Sequence, residues 1–212
     1  MNKVYTAGNG RLGTKPLGAI GIAALLFPII IWGSSNTELK ITFKEGILSL
    51  QNSRIERLFR YDTSSSIHAF YPTGWVDKQT GANHLRGESR DWFEFSINGE
   101  LIRSEEGGWD YRGFNERPLE NGGKEVVVHL VGQASQSAVL GLVELYYHCQ
   151  FFPGSTWMRE CLEIVPQGDQ MIYLTKDGGD IRMSFPRYRF VLGNGKDMRI
   201  EEVRLAEWQG EV

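Results

Sequence analysis

Two short stretches carry residue types suited to holding a sugar: Asp91-Trp92-Phe93 and, a loop later, Gly107-Gly108-Trp109-Asp110-Tyr111-Arg112-Gly113. The face of a tryptophan stacks on the C–H side of a sugar ring, while a neighbouring Asp and Arg can fork hydrogen bonds to a pair of hydroxyls. Trp75, Trp92 and Trp109 are the candidates for such a platform. Trp109, set between glycines and charges, reads as a loop aromatic with Asp110 and Arg112 as its polar partners. Trp92 opens an alternating run and reads as a core residue ahead of a platform residue.

Other chemistries find less to work with. The four histidines, His68, His84, His129 and His148, stand singly, without the spacing that places two on one metal, so no metal site is expected. His129 and His148 fall among apolar neighbours and read as satisfied strand residues, and nothing in the sequence pairs either with a base. No Gly-x-Ser-x-Gly elbow and no phosphate-binding Gly-x-x-x-x-Gly-Lys loop is present. The Gly8–Gly13 run formally matches Gly-x-Gly-x-x-Gly, but no strand precedes it, and it lies ahead of an apolar segment. Carboxylates are plentiful without marking a catalytic pair, which a glycosidase would hold about 5–10 Å apart.

The elements that must position these residues read as strands. Leu39–Phe43, Gly46–Gln51, Arg54–Tyr61, Trp92–Ile97 and Glu125–Val131 are short runs of alternating or branched residues, and Asn98-Gly99, Asn121-Gly122 and Asn194-Gly195 supply tight-turn chemistry. No window of helical period exceeds two turns after Asn36, which predicts an all-β, antiparallel sandwich. The clearest hairpin is Leu142–Val165, with Pro153-Gly154-Ser155-Thr156 at its centre. Pairing its arms about Ser155 sets Cys149 opposite Cys161. That leaves two readings, a cross-strand disulfide or two small buried hydrophobes. Arg159, on an arm of this hairpin, is expected to support the sheet.

Lys3, Arg11 and Lys15 precede an uncharged run from Ala19 to Trp32, a basic flank followed by an apolar region of signal-peptide length. Small residues at Gly33-Ser34-Ser35 suit a cleavage site, so residues 1–35 read as a signal peptide or anchor and 36–212 as the folded domain. The protein is then exported, to periplasm or extracellular space, or held on a membrane through residues 19–33. A formal charge of −3, from 23 basic and 26 acidic residues, gives no footprint for nucleic acid.

The series Leu48–Arg57, Val76–Gly81 and Asp91–Phe95, followed by Glu144–Tyr147, Phe152-Pro153-Gly154 and Trp157–Ile164, resembles the N-terminal domain of α-galactosidase-like (family 36-type) glycoside hydrolases. The similarity runs from Leu39 to Trp208. It implies a β-supersandwich of the galactose-mutarotase-like type that shapes the rim of a galactoside site, packs on a catalytic (β/α)₈ barrel and helps like subunits associate. A barrel alone takes about 250 residues. The catalytic aspartates of that family lie on barrel strands, so no catalytic residue carries over. The expectation is therefore a non-catalytic domain of an exported retaining glycosidase, without cofactor, marked by an exposed apolar face. A stand-alone carbohydrate-binding module, using Trp109, Asp110, Arg112 and Trp92, is the alternative. A structural, envelope-associated sandwich without ligand is the third reading.

Overall fold

A computed structural model describes residues 39–63, 67–85, 87–169, 171–174, 183–191 and 197–203. The expected signal or anchor at 1–35, the Asn194-Gly195 turn and the chain beyond Val203 lie outside the described residues.

Among the described residues the strands pair antiparallel and form three four-stranded sheets. Sheet 1 is a meander of β1 (Lys40–Lys44), β2 (Ile47–Gln51), β3 (Ile55–Asp62) and β4 (Ala69–Asp77). Further along come β5 (Glu94–Ile97), β6 (Glu100–Arg103), β7 (Trp109–Pro118), β8 (Lys124–Gly132), β9 (Val143–Phe151), β10 (Met158–Pro166), β11 (Met183–Val191) and β12 (Asp197–Val203). Sheet 2 has the order β10-β9-β8-β7, and sheet 3 the order β12-β11-β5-β6. Among the described residues the helical content is two single 3₁₀ turns, Ser104–Glu106 and Leu140–Leu142. The all-β, antiparallel expectation holds, and the sheets are consistent with a sandwich.

Turn chemistry accounts for much of the local register. Asn98 and Gly99, at φ 50° and 84°, join Ile97 to Glu100 in the two-residue turn that suits the strand twist. Glu45-Gly46, at φ 52° and 76°, does the same between Lys44 and Ile47, and a Cβ on Gly46 would sit 2.9 Å from the Tyr61 carbonyl oxygen. Strict alternation follows. On β9, Val143, Leu145, Tyr147, Cys149 and Phe151 are buried, while Glu144, Tyr146, His148 and Gln150 turn to the other face.

The core forms where the three sheets meet, and Trp92 is its centre. It is fully buried, with ring centroids 6.0 Å from Phe59 of sheet 1, 5.1 Å from Tyr147 of sheet 2 and 5.8 Å from Phe185 of sheet 3. Trp92 is therefore not available to a sugar. The site role expected of it is corrected, and the alternation argument for a core position stands.

The hairpin of β9 and β10 corrects the cysteine expectation. The arms pair about a point half a residue earlier than Ser155, so Cys149 faces Glu160 and Cys161 faces His148. One residue of register moves every side chain to the opposite face. Cys149 is buried in the core, Cys161 is exposed, and both are free thiols. Arg159 is exposed and has no ion pair among the described residues, so no charged contact backs the sheet support expected of it.

Support comes instead from Arg57 on β3, whose side chain is fully buried. Its Nη2 donates to Glu160 Oε1 at 2.9 Å and to the Tyr188 hydroxyl at 2.7 Å, and its Nη1 donates to the Gly74 carbonyl at 3.1 Å. Tyr147 and Tyr188 donate to the same Glu160 carboxylate at 2.8 and 2.5 Å. The guanidinium carbon lies 4.6 Å from the Trp75 ring centroid and 4.9 Å from that of Tyr188. Burial opposes the charge of Arg57. Tyr188, Glu160 and Tyr147 outweigh it and hold its pKa above the ordinary value. One cation thus ties strands β3, β4, β9, β10 and β11 of all three sheets.

Candidate functional site

Trp109 opens β7, and its backbone N–H donates to the His68 carbonyl at 3.0 Å, just ahead of β4. That bond draws the start of β4 against the start of β7. Gly107 and Gly108, at φ 73° and 81°, make the approach possible: a Cβ on Gly107 would lie 2.0 Å from the Ile67 side chain, and one on Gly108 2.6 Å from Leu140. These glycines are close-packing residues rather than a loop displaying an aromatic. Trp109 is 1% exposed and packs 5.7 Å from Phe93, so the expected stacking platform is corrected. Trp75 is also occupied, beneath Arg57.

The next residues behave as expected in part. Asp110 projects to the other face of the strand, and a β-bulge between Tyr111 and Gly113, with Gly113 at φ 117°, inserts Arg112 as an extra residue. Arg112 Nη2 lies 3.4 Å from Asp110 Oδ2. Asp110 and Arg112 are therefore brought together, 28% and 55% exposed at their side chains.

Two partners join them that no spacing in the sequence foretold. His68 Nδ1 lies 2.8 Å from Asp110 Oδ1, and Gln133 Nε2 donates to the same oxygen at 2.6 Å. An ionised carboxylate accepts, so His68 donates to it from Nδ1. Burial acts to raise the pKa of Asp110. Hydrogen bonds from His68 and Gln133 and the charge of Arg112 outweigh it and hold the carboxyl below the ordinary carboxylate range.

Aromatic rings flank this cluster. Phe43, 40% exposed, stacks on Tyr111 at 4.9 Å; Tyr61 lies 5.4 Å from Tyr111 and meets His68 edge-on at 6.2 Å. Burial pushes the Tyr111 hydroxyl up to about 12 and raises that of Tyr61, so both stay neutral hydrogen-bonding groups. Tyr61 also lines a depression of about 370 Å³ with Lys44, Ile47, Arg60 and Asp62. An ionised acceptor, a guanidinium donor and a histidine thus meet on one side, and a chain of rings runs from His68 through Tyr61 and Tyr111 to the exposed Phe43. This is the equipment for holding vicinal hydroxyls over an aromatic face.

The outward face of sheet 2 carries further pairs. His129 Nε2 lies 2.8 Å from Glu144 Oε2, which also accepts from the Tyr146 hydroxyl at 3.1 Å, and the rings of His129 and Tyr146 stack at 4.6 Å. His148 sits between Glu125 at 3.4 Å and Glu163 at 3.1 Å. Both histidines are satisfied strand residues, as their neighbours suggest, yet each has a carboxylate partner that cross-strand register alone supplies. Arg117 also pairs with Glu125, and Gln150 donates to it at 3.0 Å. Burial works to raise the pKa of Glu125, and these partners bring it below the ordinary value. Among the described residues no group of three or more His, Cys, Asp or Glu side chains is placed to hold a metal ion.

Compared with models of protein families, with curated proteins and with solved structures, the chain matches none of them.

Proposed function

We propose that this chain is a non-catalytic carbohydrate-binding β-sandwich domain, of the galactose-mutarotase-like supersandwich type, taking a galactoside-type sugar at the corner formed by Phe43, Tyr61, His68, Asp110 and Arg112. The observation that carries the reading is the shared carboxylate: Asp110 is held ionised by His68 and Gln133 beside Arg112, while the ring of Tyr61 meets His68 and stands between it and the Tyr111–Phe43 stack. The resemblance to α-galactosidase-like glycosidases suggests the sugar class and an exported setting. Packing against a catalytic barrel would call for a broad apolar face. Among the described residues the exposed large hydrophobics are Phe43, Trp157, Met171 and Tyr173, which come from three separate segments. That distribution favours a domain that binds sugar on its own account.

Titration calorimetry of the full chain with galactose and raffinose-type oligosaccharides, against a non-galactosyl control, tests the reading. Asp110→Asn and Arg112→Ala should each weaken binding about ten-fold or more, since each removes a charge-assisted hydrogen bond. Their melting temperatures should stay close to that of the parent. The lowered pKa of Asp110 sets the pH dependence: binding holds as pH falls through the ordinary carboxylate range and is lost only below it, once Asp110 is protonated. Absence of binding to every sugar, or binding indifferent to both substitutions, would overturn the assignment.

A further inference from the structure

We infer that the open edge of β10 is a self-association surface, on which a second copy of this chain pairs antiparallel about a two-fold axis through Cys161 and a Cys161–Cys161 disulfide locks the pair. β10 is the outermost strand of sheet 2. The direction of its free backbone groups follows from the end of its ladder. The Gln167 N–H donates to the Leu142 carbonyl at 2.7 Å, continuing the regular β9–β10 register. Alternate residues of a strand point their N–H groups the same way, so Arg159, Cys161 and Glu163 turn theirs to β9. Glu160, Leu162 and Ile164 then present theirs to the open edge, and none makes another backbone hydrogen bond among the described residues. Pro166, which has no N–H to offer, falls on the same outward side.

Two-fold pairing through Cys161 sets opposite charges face to face on the exposed side of the strand. Arg159 meets Glu163 of the second copy, and Glu163 meets its Arg159, because each lies two residues from the axis on the exposed face. Arg159 has no ion pair within its own chain among the described residues. Glu160 and Leu162 oppose one another and exchange backbone hydrogen bonds. Cys161 then opposes its own copy at a non-hydrogen-bonded position, where Cα atoms come about 4.5 Å apart, inside the span a disulfide bridges. The register that forbids an internal Cys149–Cys161 bridge leaves this thiol exposed for the purpose. The candidate sugar corner lies on β7, at the opposite edge of sheet 2, and stays open in such a pair.

The covalent step is thiol–disulfide exchange with a low-molecular-weight disulfide. The Cys161 thiolate attacks one sulfur, forming a mixed disulfide and releasing one thiolate. Cys161 of the second copy then attacks that mixed disulfide and releases the other. Two protein thiols are oxidised to one disulfide, and one small disulfide is reduced to two thiols.

The test incubates the full chain, in mild non-ionic detergent, with oxidised glutathione and follows it by non-reducing electrophoresis and sedimentation velocity. A covalent dimer is expected, absent in Cys161→Ser. Arg159→Glu and Glu163→Arg, which set like charges opposite one another twice per pair, should each slow cross-linking about ten-fold. The double swap Arg159→Glu/Glu163→Arg restores the complementarity and should return the rate to within about two-fold of the parent. A chain that stays monomeric with glutathione on Cys161 would overturn the inference, as would cross-linking at one rate in all charge variants.

Discussion

Arg57→Leu is expected to cost about 3–5 kcal/mol of stability, the loss typical when one partner of a buried ion pair is removed. For a domain of this size that corresponds to a fall in melting temperature of roughly 10 °C. The reason lies in what remains. Glu160 keeps two tyrosine hydroxyls but loses its cation, and Trp75 and Tyr188 lose the guanidinium packed over their rings. A second variant separates charge from packing. Glu160→Gln in the Arg57→Leu background should recover about 1 kcal/mol or more, because the amide oxygen still accepts from a tyrosine while the uncompensated charge is gone. A double variant no more stable than the single would mean that Arg57 acts through its bulk alone.

That network shows what the sequence could and could not convey. In the run Ile55-Glu56-Arg57-Leu58-Phe59, the period of two puts Arg57 on the same face as Ile55 and Phe59, both buried. Parity thus flags an inward-facing cation, but no local pattern names Glu160 as its partner a hundred residues on. Hairpin positions were legible wherever turn chemistry is short-range, as at Asn98-Gly99. The β9–β10 hairpin was legible as a hairpin and not in register, because the connection between Phe151 and Met158 is long enough to pair its arms about either of two adjacent points. Half of the candidate site was legible for the same reason. Asp110 and Arg112 are neighbours in sequence, whereas Gln133 arrives from the end of β8, paired with β7 in the same sheet, and His68 from ahead of β4 through a contact between sheets. The β-bulge at Arg112 had one local sign, the glycine that follows it.

Trp109→Ala is expected to cost about 3–5 kcal/mol, as large-to-small replacements of buried aromatics do. A displayed loop aromatic would cost little, so this substitution decides between the two meanings of the flanking glycines. Gly107 and Gly108 sit where a side chain would collide with Ile67 and Leu140, and the chain there is pressed into the core, carrying the indole against Phe93 and Phe95. Trp109→Ala empties a volume bounded by both rings. The backbone N–H that holds the His68 carbonyl is kept in the variant, so sugar binding should weaken only in proportion to the unfolded fraction. Urea titration with intrinsic fluorescence gives the stability, and calorimetry in native buffer gives the affinity of the molecules that remain folded. Phe43→Ala supplies the contrast: 40% exposed, it should change stability little and remove most of the affinity. If Trp109→Ala folds with parental stability and loses sugar binding, the indole meets the ligand directly and the site belongs on Trp109 rather than at the Phe43 corner.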